Sequence, residues 1–318
     1  MTASAMTGVP QTPVMEVRGL RKEFKGRSGR IVAIDNLDIS IPGAGVYGFL
    51  GPNGSGKTTT IRCLLGLIQP TSGSVELLGT DTSKGLHHVI DRIGALVETP
   101  KFFPTFSGRK NLRMFGGVVG LGDEAVEKSL ATVGLAERGE DTFSSYSLGM
   151  KQRLAVAATL LKDPQLIILD EPANGLDPAG IVEIRRLIRS LAAEGRTVFV
   201  SSHQLGEVQQ TCDNVMIISK GRLIQSGPVS DLVMLGSQKL RLETEPGQTD
   251  EAVVLISNAG MAVHAEGGNR ISVEAGADDA SGLNRLLAES GIWLRSLHVD
   301  ESSLESIFLE LTGQEGEL

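Results

Sequence analysis

Gly51-Pro-Asn-Gly-Ser-Gly-Lys57-Thr58 sets glycines, a lysine and a threonine at the spacing of a loop that cradles nucleotide phosphates between a strand and a helix. Gly51, Gly54 and Gly56 allow backbone N–H groups to converge on an anion at the positive end of a helix, where unpaired donors and the dipole favour phosphate. Lys57 can then reach the β- and γ-phosphates, and the Thr58 hydroxyl is suited to ligate Mg²⁺. Asn53, Ser55 and Thr59 belong to the same loop and first helical turn and count with it as nucleotide-binding candidates. The plainer alternative is a glycine-rich turn with a surface lysine.

Positioning that loop requires a strand before it and a helix after it. Val46 to Leu50 is apolar enough for the strand, and Thr58 to Gly66 carries Ile61, Leu64 and Leu65 at helical spacing. Further on, Asp163-Pro164 stops a helical pattern, and Leu166-Ile-Ile-Leu169-Asp170-Glu171 reads as a buried parallel strand ending in two carboxylates. Ligands of open α/β sheets gather at strand carboxyl ends, so Asp170 can hold Mg²⁺ through water while Glu171 polarises a water for attack on phosphate. Alternatively, both carboxylates cap the next turn. Thr197 to Val200 forms another strand with Ser201-Ser202-His203 at its end, where His203 can orient the same water or serve as an ordinary loop histidine.

The helical spacing of Asn111 to Val119, Glu124 to Val133 and Met150 to Leu161 predicts a helical subdomain at about 106–163. Its last helix follows Tyr146-Ser147-Leu-Gly149, a segment that reads by itself as an N-cap. Near the start, Val14 to Val17 and Ile31 to Ile41 read as strands of an antiparallel edge sheet around a polar, basic turn. Phe24 in that turn either stacks on a base or is a hairpin residue. Gly73 to Gly79 is another strand bounded by glycines.

A chain of 318 residues with 41% hydrophobic content can build a large core and a second, smaller unit. No secretory signal is visible, no run of roughly eighteen apolar residues occurs, and residues 1–13 read as a loose tail. Cys63 and Cys212 are too few and unpatterned for a disulfide framework or metal site and read as reduced core residues of a cytosolic protein. From residue 236 onward five basic residues face fifteen acidic ones, a net of −10 that leaves +2 for residues 1–235 of the chain's −8. An acidic C-terminal third argues against nucleic-acid binding.

The ordered set Gly51 to Thr58, Ser147-Leu-Gly149-Met-Lys-Gln152, Leu166 to Glu171, Asn174-Gly-Leu-Asp177 and His203 resembles the nucleotide-binding subunits of ABC transporters. The resemblance implies an α/β P-loop NTPase of ABC type, with a parallel core sheet, an antiparallel β edge subdomain and a helical subdomain, across residues 14–235. It implies ATP and Mg²⁺ as ligands, hydrolysis to ADP and phosphate, and a head-to-tail dimer that sandwiches ATP between one phosphate loop and the other copy's Ser147 and Gly149. Asp177 would communicate across that interface, and the adenine-stacking aromatic of the family falls where Phe24 stands. Two departures mark this chain. The family's Leu-Ser-Gly-Gly-Gln is Tyr146-Ser147-Leu148-Gly149-Met150 here, and Glu98 stands where a glutamine senses γ-phosphate and Mg²⁺. Glu98 is therefore a third metal candidate beside Thr58 and Asp170.

Both departures resemble the branch with bacitracin-, lantibiotic- and daunorubicin-type exporters. The expectation is a peripheral ATPase at the cytoplasmic face of the cell membrane, driving export of a drug, peptide or lipid through a separate polytopic permease. A homodimer is allowed because both half-sites lie in one chain. The rival is a soluble ABC-type ATPase with a role in repair or translation, whose relatives are paired or coiled-coil-inserted chains. Residues 236–318 follow the order strand, helix, strand, strand, helix, strand, from Leu240 to Val299, which predicts a small ferredoxin-like α+β domain. Beyond it, Leu304, Ile307, Phe308 and Leu311 fall on one face of an amphipathic helix that packs on its own domain.

Overall fold

The computed structural model describes residues 12–26, 29–98, 100–235, 239–300, 304, 305, 307 and 308, and divides the chain into two compact units, Met1–Val229 and Ser230–Leu318. The first unit runs β1 (Met15–Gly26), β2 (Gly29–Ile41), β3 (Gly45–Leu50), α1 (Lys57–Leu64), β4 (Ser72–Leu77), β5 (Thr80–Asp81), α2 (Thr82–Gly85) and β6 (Ile93–Leu96). It continues through α3 (Gly108–Val118), α4 (Asp123–Thr132), α5 (Leu148–Leu160), β7 (Leu166–Asp170), α6 (Pro178–Ala193), β8 (Thr197–Ser202), α7 (Leu205–Thr211), β9 (Asn214–Ser219) and β10 (Arg222–Pro228). Helix α8 (Val229–Leu235) then begins the second unit.

A six-stranded sheet in the order β10-β9-β3-β8-β7-β6 holds the centre of the first unit, parallel throughout except for the β9–β10 hairpin. Strands β3, β7, β8 and β9 are almost wholly buried, as expected of strands covered on both faces. The second sheet, β2-β1-β4-β5, is antiparallel. One core joins them: Met15, Leu20 and Ile39 of the antiparallel sheet pack with Phe49 and Phe199 of the parallel sheet and Ile61 and Leu64 of α1.

β1 extends through Gly26, well past the strand expected at 14–17, and takes in the stretch read as a basic turn. Its charges are stabilised sideways: Arg21 binds Glu23 at 2.8 Å and also pairs with Asp35, and Arg30 binds Glu23 at 3.2 Å. Phe24 is therefore a strand residue opposite Ile31. Helices α3, α4 and α5 fall where their spacing predicts, while β6, α6, α7, β9 and β10 join the elements expected from the sequence.

The second unit contains β11 (Lys239–Thr244), α9 (Thr249–Asn258), β12 (Val263–Gly267), β13 (Arg270–Glu274), α10 (Ala280–Glu289) and β14 (Leu294–Asp300). Its sheet order β12-β13-β11-β14 is antiparallel at every pairing, the split βαβ arrangement. Leu240, Leu242, Ile271 and Val273 on one face of the sheet form a core with Ile256, Leu283 and Leu287 of the helices. Leu304 and Ile307 of the terminal segment are buried and helical, whereas Leu311 lies outside the described residues.

Candidate active site at the phosphate loop

β3 delivers the chain at Leu50 and α1 receives it at Lys57, so the loop between them is held against a helix N-terminus whose first N–H groups lack intrahelical partners. Gly56 is the N-cap at φ +108°, and a Cβ there would lie 2.5 Å from the Ala33 carbonyl oxygen. At Gly51 a Cβ would lie 2.3 Å from the Ile218 carbonyl oxygen. Glycine is thus required twice, by conformation and crowding at 56 and by crowding alone at 51. Ser55 is buried, and its hydroxyl has no hydrogen-bond partner among the described residues. A phosphate oxygen beside the helix N-terminus is a suitable partner for it.

The Lys57 ammonium is buried and donates to the carbonyl oxygens of Gly51 at 2.6 Å and Pro52 at 3.3 Å. It also lies 3.4 Å from Glu171 Oε1. Glu171, just beyond β7, takes the left-handed conformation with φ +51° and sets its Oε2 2.7 Å from His203 Nδ1. With the carboxylate ionised, Nδ1–H donates and Nε2 remains as the ring's other hydrogen-bonding atom. The Glu171 N–H donates to Ser201 Oγ at 3.0 Å, and the Ser201 hydroxyl donates to Asp170 Oδ1. Lys57, Glu171 and His203 line a cleft of about 360 Å³ together with Ala33, Asn53, Gly54, Gly56, Thr58, Thr59 and Asn174.

The other candidates lie apart from this cleft. Ser147 caps α5, its hydroxyl accepting the Met150 N–H at 3.2 Å, and Gly149 stands where a Cβ would be 3.7 Å from Gly180 Cα. Gly180 in turn donates its N–H to Asp177, the cap of α6, at 2.9 Å. Ser147, Gly149 and Asp177 thus belong to one neighbourhood, at the abutting ends of α5 and α6, and none of them lines the cleft. The Lys22 ammonium sits 5.0 Å from the ring centroid of half-exposed Phe24. Glu98 is exposed and pairs with Arg62 of α1 at 2.9 Å. Tyr146, where the family has leucine, donates its hydroxyl to the Arg138 carbonyl at 2.7 Å, and burial pushes its phenol up so that it stays a donor.

A helix-anchored phosphate cradle with its lysine, and a carboxylate and imidazole facing it, defines a P-loop nucleotide hydrolase. The ABC transporter family profile matches residues 34–174, the part of the chain that holds the loop and Glu171. The bacitracin transport ATP-binding protein BcrA of Bacillus licheniformis is 42% identical over 287 residues, covering 88% of this chain and 92% of that protein. The daunorubicin/doxorubicin resistance ATP-binding protein DrrA of Streptomyces peucetius is 34% identical, covering 95% of this chain and 93% of that protein. Among solved structures, cbiO1 from Clostridium perfringens, part of the ABC transporter complex cbiONQ, is 27% identical with a TM-score of 0.62, covering 70% of this chain and 91% of that one. The chain belongs to the ABC transporter family as an ATP-binding subunit, and its enzymatic activity is ATP hydrolysis.

Ala33, Asn174 and Ser201 were not singled out as site residues by sequence. Asn174 and Ser201 sit inside segments that carry other candidates, which was the available signal, whereas nothing in its neighbourhood marks Ala33 on β2.

Proposed function

We propose that two copies of the chain close head to tail on ATP, and that their hydrolysis cycle drives export of a drug, peptide or lipid through a separate polytopic subunit at the cytoplasmic face of the membrane. The observation that supports the dimer is the separation within one chain: the cleft holds Lys57, Glu171 and His203, while Ser147 and Gly149 sit beside Asp177 outside it. A second copy brings the missing half. The exporter class is supported by the names of the bacitracin and daunorubicin relatives. No helix among the described residues is long and apolar enough to cross a membrane, so the pathway is assigned to a partner. The acidic second unit is assigned an accessory role in dimer support or regulation.

In the cleft, Lys57 exchanges its carbonyl partners for phosphate oxygens, and the α1 N-terminus and Ser55 hydroxyl hold the rest of the phosphate chain. Glu171, fixed by His203, accepts the proton of the attacking water. Thr58 and Asp170 offer hard oxygen donors that suit Mg²⁺, which would neutralise charge on the phosphates. Phe24 is assigned to adenine stacking and Asp177 to communication between copies. The Glu98 carboxylate, held on Arg62, would exchange that partner to reach a metal.

Glu171→Gln tests the reading. ATP affinity should be retained, hydrolysis should fall by roughly 10²–10⁴-fold, and the variant should elute as a dimer with ATP. From detergent-solubilised native membranes the tagged variant should recover a polytopic membrane protein. Normal turnover by a monomer would remove Glu171 as the base, and recovery of no membrane protein would remove the transport assignment.

A further inference from the structure

Two adjacent carboxylates, Asp170 at the end of β7 and Glu171 just beyond it, sit in different settings. Ser201, the neighbour of Asp170 across the parallel β7–β8 pairing, is completely buried. Its hydroxyl has two partners and they are the two residues in question: it donates to Asp170 Oδ1 and accepts the Glu171 N–H at 3.0 Å. The Ser201 carbonyl lies 3.3 Å from the same N–H. A hydroxyl is the small group that can donate and accept at once, so it can join a carboxylate to an amide. Glu171 needs such a fixture, since at φ +51° it sits in a region that side-chain-bearing residues hold only when their surroundings dictate it. From that backbone its carboxylate reaches Lys57 and His203.

We infer that Ser201 is a positioning residue for ATP hydrolysis, its single hydroxyl setting the Asp170 carboxylate for the metal and the Glu171 backbone for the attacking water. The inference rests on the roles proposed above for Asp170 and Glu171. Removing the hydroxyl frees both neighbours: Asp170 loses a donor that fixes its rotamer, and the strained Glu171 backbone loses its side-chain anchor. Threonine keeps the hydroxyl and suits a strand.

The test compares full-length wild type, Ser201→Ala, Ser201→Thr and Glu171→Gln. Two measurements are made: steady-state ATP hydrolysis, and half-saturation by Mn²⁺ read from its EPR signal with a non-hydrolysable ATP analogue present. Ser201→Ala should lower kcat and weaken Mn²⁺ half-saturation by roughly 10–100-fold each, with metal-free analogue affinity unchanged, and Ser201→Thr should restore both to within about threefold. Glu171→Gln should lose hydrolysis with Mn²⁺ half-saturation as in wild type. A Ser201→Ala protein that only melts earlier, with wild-type kcat and Mn²⁺ half-saturation, overturns the positioning role while leaving the site reading intact. Full hydrolysis by Glu171→Gln would instead overturn the site reading itself. Should Ser201→Ala not fold, Ser201→Cys, which is slightly larger and replaces the hydroxyl with a weakly donating thiol, is read by the same criteria.

Discussion

At the scale of the residue, the site depends on atoms that approach more closely than a side chain would permit. Gly51 shows this without any contribution from unusual backbone, because the obstacle to a Cβ is the Ile218 carbonyl of β9 at 2.3 Å. Gly51→Ala should weaken binding of a fluorescent ATP analogue at least about tenfold and cost roughly 1–3 kcal/mol in urea unfolding, since β9 or the loop must shift. Gly122→Ala, where a Cβ meets nothing within 4 Å, should leave the affinity unchanged. Equal affinity in the two variants would show that the loop tolerates displacement. The glycines, Lys57, Glu171 and His203 were legible in the sequence because each lies in a short segment whose chemistry is local. The Ser201 hydroxyl was not, since its importance comes from the register of β8 against β7, a pairing between residues 31 apart in the chain for Asp170. Phe24 is legible by type and position as a base-stacking candidate, and the fold adds the Lys22 ammonium 5.0 Å from the centroid of its ring.

At the scale of the element, α3 is tied to the loop before it by a buried asparagine. Asn111 is buried, accepts the Phe103 N–H at 2.8 Å and donates to the carbonyls of Phe103 at 3.1 Å, Phe106 at 3.4 Å and Ser107 at 3.1 Å. Asn111→Ala leaves the Phe103 N–H without its partner, while the carbonyls of Phe103, Phe106 and Ser107 keep the backbone N–H groups of Phe106, Phe143 and residue 111, and should destabilise the first unit by about 1–3 kcal/mol. Because α3 does not line the cleft, ATP-analogue affinity should be unchanged. A large loss of affinity with unchanged unfolding would contradict this division. Helical spacing made α3, α4 and α5 readable to within a few residues, since each buries one face. β1 is longer than its sequence suggests because Arg18, Arg21, Lys22 and Lys25 obscure its alternation; Glu16 and Glu23 pair with Arg18 and Arg21 from within the strand, and Asp35 reaches Arg21 from β2. The six elements from β11 to β14 were legible in order, but the placement of β11 between β13 and β14 is set by non-local pairing.

At the scale of the whole molecule, the groups that titrate abnormally predict a stability profile that falls on both sides of neutrality. On the acid side, Asp163 is held below the usual carboxylate range by its hydrogen bond to Lys128 and then by Arg196, and Asp35 by its hydrogen bond to Arg222. A depressed carboxylate contributes stability that is present above its unfolded value and lost as pH falls through the folded one, so the loss begins below about pH 4. On the alkaline side, burial pushes the Cys63 thiol up from 9.0 to about 11 and the Cys212 thiol from 9.0 to about 12. Burial also raises the Tyr47 and Tyr146 phenols. The folded chain then keeps protons that the unfolded chain releases, so this stability is complete below about pH 9 and declines as pH rises towards 11 and 12. Urea midpoints should therefore be level between about pH 6 and 8.5 and fall steadily above 9, and Cys63→Ala/Cys212→Ala should make that alkaline slope shallower. The comparison rests on slope, because the lost side-chain volume lowers the double variant's midpoint at every pH. An alkaline slope identical in the two proteins would mean that the thiols do not keep their protons in the folded chain, and that the decline belongs to the tyrosines.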